Sequence, residues 1–292
     1  MDDTLCGKID YMRKYLPDKL SEDSTLDFYQ IENINKYCPD ENCNTELDKI
    51  TAGFLWLLGQ YFTISTNRSY NESSTNAFFI YIISWFSYKL NQNSEHNSTQ
   101  ISDFYTKRIK NSDKYSSFTN DAYKFTDIKE VLNKKSDLLN INIKDMSEFY
   151  DAFKLLCNIY GNVTTRKDNN TLSNSATSFV NKYTELNNDS KIEGTARSKI
   201  LSALSTDYNK LKSKYNGFPS IPETSANSFA LTSEDTSSSS IGKRLFTILS
   251  IFGAIAFFLG IFYKYSLFGF RKRFQKQKLR EKIKNIKKKM NH

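Results

Sequence analysis

Four cysteines, Cys6, Cys38, Cys43 and Cys157, and two histidines, His96 and His292, are the side chains of this 292-residue chain best suited to covalent or metal chemistry. Cys38 and Cys43 lie in "CPDENC" with four residues between them, and no second close Cys or His pair follows to complete a tetrahedral metal site. An even number of cysteines in a segment expected to face an oxidising space predicts two disulfides, with three connectivities open and four reduced thiols as the alternative. Cys157 falls on the apolar side of a helical stretch, so a bridge from it would tie that helix to the N-terminal segment. His96 stands in the polar "NQNSEHNSTQ" and His292 is the last residue; neither has the setting of a catalytic base. No phosphate-cradling glycine loop, nucleophile elbow or metal-binding His pair occurs. Asp145, Glu148 and Asp151 recur at helical spacing, which reads as a solvated face. These residues predict a protein that is not an enzyme and takes no cofactor and no metal.

The elements that carry them read as all-α. With only 10 Gly and 4 Pro, turns are few, and 14% aromatic residues imply an aromatic-rich core. Residues 45–216 form a run of predicted helices. "TELDKITAGFLWLLGQYF" opens on Thr45 with Asp48 three places on, a capping-box pattern. Leu47, Ile50, Phe54, Leu55, Trp56, Leu57, Leu58 and Tyr61 then cover most sides, so Trp56 and its neighbours are expected in the core. Thr63–Thr75 reads as a loop and Asn76–Leu90 as a second central helix. "IKDMSEFYDAFKLLCNIYG" carries one apolar stripe and is expected to stop at Gly161, and "RSKILSALSTDYNKLKSKYNG" to stop at Gly217. Residues 91–140 are more charged and less periodic. Residues 217–242 are rich in Ser, Thr and Pro and read as a linker, with a root-mean-square span of roughly 30 Å as a flexible coil.

The formal charge of +9 is unevenly spread. From Lys264 onward there are twelve Lys or Arg and one acid, Glu281; with Lys243 and Arg244 this end carries +13, leaving −4 on residues 1–242. A mildly acidic main domain argues against nucleic acid as a partner. Between Arg244 and Lys264 lie nineteen uncharged residues, Leu245–Tyr263. As a helix they reach roughly 28 Å, the thickness of a bilayer's hydrocarbon core. The shorter run Ala77–Phe86 includes Ser84, is followed by Lys89, and reads as a buried helix. Ser250 with Ala254, and Ala256 with Gly260, form small-residue pairs through which the span could self-associate.

Six basic residues in the fifteen positions after the span, against two before it, place the N-terminus outside and the tail in the cytoplasm. The N-terminus has no apolar signal-peptide core, so either the span itself would direct insertion or the export route is an unusual one. Six Asn-x-Ser/Thr sequons, at Asn67, Asn71, Asn97, Asn162, Asn169 and Asn188, do not bear on topology, since about five are expected by chance in so Asn-, Ser- and Thr-rich a chain. After the basic Arg271, Lys272 and Arg273, the residues Leu279, Ile283, Ile286 and Met290 share one helical face. A basic amphipathic helix beside a span is expected to rest on the anionic leaflet; the alternatives are a solvated tail that serves only as a topology signal and a short coiled coil. The organisation is thus a helical outer domain (1–216), a linker (217–242), a transmembrane helix (245–263) and a basic cytoplasmic tail (264–292).

Four blocks, "MDDTLCGKID", "CPDENCNTELDKITAGFLWLL", "LLCNIYGN" and "FYKYSLFGFRKRFQKQKLREKIKN", make the chain resemble the Plasmodium interspersed repeat (PIR) variant antigens of malaria parasites, in particular the rodent-malaria branch. The resemblance spans nearly the whole chain and is weakest in residues 90–140 and the linker. It implies an exported single-pass protein on an infected red-cell membrane or another exported membrane, acting in antigenic variation and immune evasion. The expected partners are the lipid bilayer and a host receptor or antibody that the resemblance does not name. The alternative expectation is an internal membrane-organising or host-cell-remodelling protein that acts through its tail on lipid or membrane skeleton.

Overall fold

Asp2 starts the first helix, α1 (Asp3–Tyr15): its carboxylate accepts the Leu5 backbone N–H at 2.9 Å, satisfying a donor that a helix start leaves free. The computed structural model describes residues 1–19, 26–66, 70–115, 130, 132–188 and 195–222. The predicted span, the tail and most of the linker lie outside the described residues. After short 3-10 turns at Phe28–Gln30, Ile34–Tyr37 and Pro39–Glu41 comes α2 (Glu46–Ser65). It begins with the predicted capping box, in which the Thr45 hydroxyl accepts the Asp48 N–H at 3.1 Å and the Asp48 carboxylate accepts the Thr45 N–H at 3.0 Å.

Helix α3 (Glu72–Asn91) starts at an Asn71 cap. The loop expected at Thr63–Thr75 is therefore shorter than its polarity implies. Thr63, Ser65 and Thr66 bond their hydroxyls back to the carbonyls of Gly59 and Phe62, which lets polar residues close α2 rather than leave it. The chain continues through α4 (Ile101–Phe104), which passes into a π-helical turn at Tyr105–Lys110, then α5 (Ser136–Leu139) and α6 (Ile143–Ser147). Three longer helices follow: α7 (Tyr150–Thr164), α8 (Asn169–Asn188) and α9 (Thr195–Lys212).

The stripe expected as one helix over 143–161 is two, broken where Phe149 and Tyr150 are both drawn into the core. Gly161 does not stop α7. Helical bonding runs on to Thr164, and the turn away comes at Arg166, which takes the left-handed conformation at φ 53°. Asp168 caps α8, accepting the Thr171 N–H at 3.0 Å and its hydroxyl at 2.7 Å. Among the described residues there is one isolated bridge, Gln100 with Asn142, and no strand, so the fold class is all-α. None of the described helices is long and apolar enough to cross a membrane.

The core is built around α3, in which every residue from Ala77 to Ser87 is buried, and α1, α2, α6, α7 and α9 all pack on it. Phe54 of α2 stacks on Phe86 with centroids 3.9 Å apart, and Tyr81 lies 5.5 Å from Phe153 of α7. Gly53 sits where three helices converge: a β-carbon there would stand 3.0 to 3.2 Å from Leu16, Met12 and Trp85. The fully buried tryptophan is Trp85. Trp56, expected in the core beside Phe54, Leu55, Leu57 and Leu58, is only half-buried and stacks on Tyr11 at the core margin, 5.7 Å between centroids. A helix placed as α2 is has one side left for α1 to cover, and Trp56 falls there.

Charge enters this core only with partners. Asp207 is buried and pairs with both the Met1 α-amino group and Lys210. Lys89, 1% exposed, donates to the Pro17 carbonyl at 2.6 Å. Asp18, just beyond α1, takes both forks of Arg13 at 2.9 Å, the Tyr150 hydroxyl at 2.6 Å and Lys154 at 3.1 Å. Burial alone would raise the Asp18 carboxyl, but the hydrogen bonds from Arg13 and Tyr150 and the charges of Arg13 and Lys154 outweigh it and hold it at about 2.

The four cysteines pair as Cys6–Cys157 and Cys38–Cys43, with none left free. The first ties α1 to α7 across a sequence separation of 151, and the second closes the short exposed loop at Pro39–Asn42. Loop-closure entropy gives the long bridge about 5 kcal/mol and the short one about 2 kcal/mol as upper values.

Two outcomes follow for chemical denaturation. The Cys6→Ala/Cys157→Ala double variant should lose clearly more stability than Cys38→Ala/Cys43→Ala; equal losses would show that chain entropy does not govern their contributions. A carboxylate whose folded value is depressed contributes stability above its unfolded value, near 4, and loses it as pH falls toward 2. Asp18→Asn should therefore cost about 1 kcal/mol at neutral pH, after discounting for its partial exposure, and flatten the loss of stability between roughly pH 4 and pH 2. An unchanged acid limb would remove Asp18 from this role.

Candidate functional site

Helix α9 turns Ile200, Leu204, Tyr208 and Leu211 into the core, which leaves Ser198, Ser202 and Thr206, four residues apart, on another side. That side forms one wall of a cleft of about 470 Å³. Ser73, Asn76 and Ile80 from the start of α3 form a second wall, and Lys134, Lys135, Asp137 and Leu138 around α5 a third. Lys199 joins from α9. Ile80, Leu138 and Ala203 give it an apolar floor under a polar rim.

The lining residues bring three lysines against one carboxylate, although residues 1–242 as a whole are acidic. Lys135 donates to the amide oxygen of Asn76 at 2.5 Å. Burial pushes its ammonium below the usual lysine range, and the more distant charges of Glu72 and Asp137 offset this only in part. Lys199 pairs with Asp137, and Lys134 with Glu130 at 3.3 Å. Burial would raise the Asp137 carboxyl, but the Lys199 hydrogen bond and charge carry it below its ordinary value. A second cavity, about 120 Å³ between Phe54, Ile101, Tyr105 and Leu139, is smaller and more apolar.

Among the described residues none of these hydroxyls has a histidine beside it. The imidazole of His96 instead meets the Leu90 carbonyl through Nε2 at 2.9 Å, at the end of α3, and packs edge-on against Phe104. Asp145 and Glu148 are partly exposed, and Asp151 is exposed and pairs with Lys154 at 3.1 Å. Among the described residues no group of three or more His, Cys, Asp or Glu could hold a metal ion. The arrangement can bind an anion or a hydroxyl-rich molecule, and among the described residues no hydroxyl of the cleft is paired with a base.

Of the residues singled out by sequence, the cysteines are brought together in pairs, Cys6 with Cys157 joining segments far apart in the chain. Arg271, Lys272, Arg273, Leu279, Ile283, Ile286 and Met290 lie outside the described residues. The cleft lysines were not singled out. Their only trace in the sequence is the adjacent pair Lys134–Lys135 and the four-residue spacing of Ser198, Ser202 and Thr206.

Comparison with known proteins agrees with this architecture. The family described as Plasmodium variant antigen protein Cir/Yir/Bir matches residues 6–264. A solved structure described as a Plasmodium PIR protein ectodomain is similar at 30% identity and a TM-score of 0.56, covering 76% of this chain and 99% of that one. No curated protein matches the sequence. The chain, helical and doubly disulfide-bonded in its described part and matched over residues 6–264, belongs to the Plasmodium PIR (Cir/Yir/Bir) variant antigen family.

Proposed function

We propose that this protein is an exported variant surface antigen of a malaria parasite, displayed on the infected red cell and acting in host interaction, antigenic variation and immune evasion. The observation that carries the reading is the family match over residues 6–264, which includes both the helical domain and the apolar run Leu245–Tyr263. Two disulfides and no free cysteine fit a domain that folds in an oxidising space. In this account the domain stands outside, Leu245–Tyr263 spans the bilayer, and the basic tail faces the cytoplasm. The rodent-malaria branch is part of the same proposal and rests on the sequence blocks quoted above.

The tail supplies the membrane contact on the inner side. Arg271, Lys272 and Arg273 meet the anionic headgroups, and the face formed by Leu279, Ile283, Ile286 and Met290 enters the interface; each basic residue near such a surface contributes about 1 kcal/mol. In this proposal self-association runs through the small-residue pairs of the span. The protein acts through binding, with no reaction of its own.

Protease treatment of intact infected cells, read with separate antibodies to residues 1–222 and to the tail, tests display. The outer-domain signal should disappear while a short tail-bearing fragment survives. If the full chain persists until the cells are lysed, display is wrong and the internal membrane-organising role stands in its place.

A further inference from the structure

The cleft between α3, α5 and α9 answers to no part of the anchoring or display reading, and its chemistry is specific enough to name a ligand class. We propose that it binds an acidic saccharide, with Lys135 and Lys199 on the sugar's carboxylate or sulfate and the hydroxyls of Ser198, Ser202 and Thr206 on its ring hydroxyls.

The anionic half of the assignment rests on Lys135. Its ammonium is half-buried between α3 and α5, and its hydrogen-bond partner is the neutral amide oxygen of Asn76. A half-buried cation whose hydrogen-bond partner is a neutral dipole, and whose nearby acids offset its burial only in part, is further stabilised by an anion that reaches it. Among the described residues no acid bonds to it directly: Asp137 pairs with Lys199 and Glu130 with Lys134, and Asp137 and Glu72 reach Lys135 only through their charge. Those two lysines are 58% and 73% exposed, so their present ion pairs are worth little and can be exchanged for a ligand anion.

The saccharide half rests on the opposite wall. Ser205 turns its hydroxyl back onto the Ser202 carbonyl at 3.1 Å, but no such bond ties up Ser198, Ser202 or Thr206 among the described residues. A hydroxyl both donates and accepts, which suits the hydroxyls of a sugar better than a bare oxyanion. Ile80, Leu138 and Ala203 offer an apolar floor for the C–H face of a ring. At about 470 Å³ the cleft has the volume of a small-ligand pocket, whereas protein partners take broader and flatter surfaces.

The full chain in lipid nanodiscs can be titrated with four probes: a sialylated trisaccharide, a heparin-derived tetrasaccharide, neutral lactose and inorganic phosphate. The basic tail is the same in every variant, so the difference between variants reads the cleft. At least one acidic saccharide should bind with salt-sensitive affinity well above lactose and phosphate, and the preferred one tells carboxylate from sulfate. Lys135→Gln, which can keep the bond to Asn76, should weaken that binding at least tenfold. Lys199→Gln, an exposed substitution that leaves the core untouched, should weaken it severalfold, and Lys114→Gln, away from the cleft, should leave it unchanged. Binding of phosphate as tight as either acidic saccharide, or no loss in Lys135→Gln and Lys199→Gln, would overturn the proposal. So would equal binding of lactose. None of these outcomes depends on which membrane carries the protein.

Discussion

The fold depends on one helix without a solvent face. From Ala77 to Ser87, α3 buries every side chain, including Phe78, Phe79, Tyr81, Trp85 and Phe86. An amphipathic helix needs one partner, but a helix that is apolar all round needs partners on every side. That requirement fixes the positions of α1, α2, α6, α7 and α9 around it, and Gly53 marks how closely two of those partners approach. Two of the polar side chains on α3 are satisfied in place: Ser84 bonds back to the Ile80 carbonyl of its own helix, and Lys89 reaches out to Pro17. The Tyr81 hydroxyl, the Trp85 indole N–H and the Ser87 hydroxyl are buried without a hydrogen-bond partner among the described residues, a cost that the all-round apolar packing must offset.

Around that helix the chain is fastened at points distant in sequence. The Cys6–Cys157 bridge and the charges gathered on Asp18 both connect α1 with α7, one covalently and one electrostatically. Asp207 adds a third tie, from α9 to the first residue. With stability concentrated in these ties and in the core, exposed positions that carry no cap, ion pair or left-handed backbone can change at little cost, since surface substitutions away from such features usually fall within about 0.5 kcal/mol. For a member of a variant antigen family this is a physical basis for varying the outer face while keeping the scaffold.

Much of this frame is written in the sequence at short range. The Thr45–Asp48 capping box, the apolar run that becomes α3 and the periodicity of α9 each specify their element locally. Helix α1 is harder to see, because only Leu5, Cys6, Ile9 and Met12 face the core and charged residues fill the rest. Helix α8 is masked by its Asn, Ser and Thr, which are poor helix formers, although Leu172, Ala176, Phe179, Tyr183 and Leu186 recur at four, three, four and three. The break between α6 and α7 and the half-exposed place of Trp56 are set by packing partners elsewhere in the chain. The cleft is legible only in three dimensions, since Asn76, Lys135 and Ser202 come from three separate segments.

Hydrogen exchange followed by mass spectrometry tests most directly whether α3 organises the domain, because amides that open only on global unfolding exchange last. Backbone amides from Ala77 to Leu90 should exchange slowest of all, at a rate set by global stability, while α5 and the ends of α8 open earlier. Exchange in α3 as fast as in α8 would contradict it and place the organising core elsewhere.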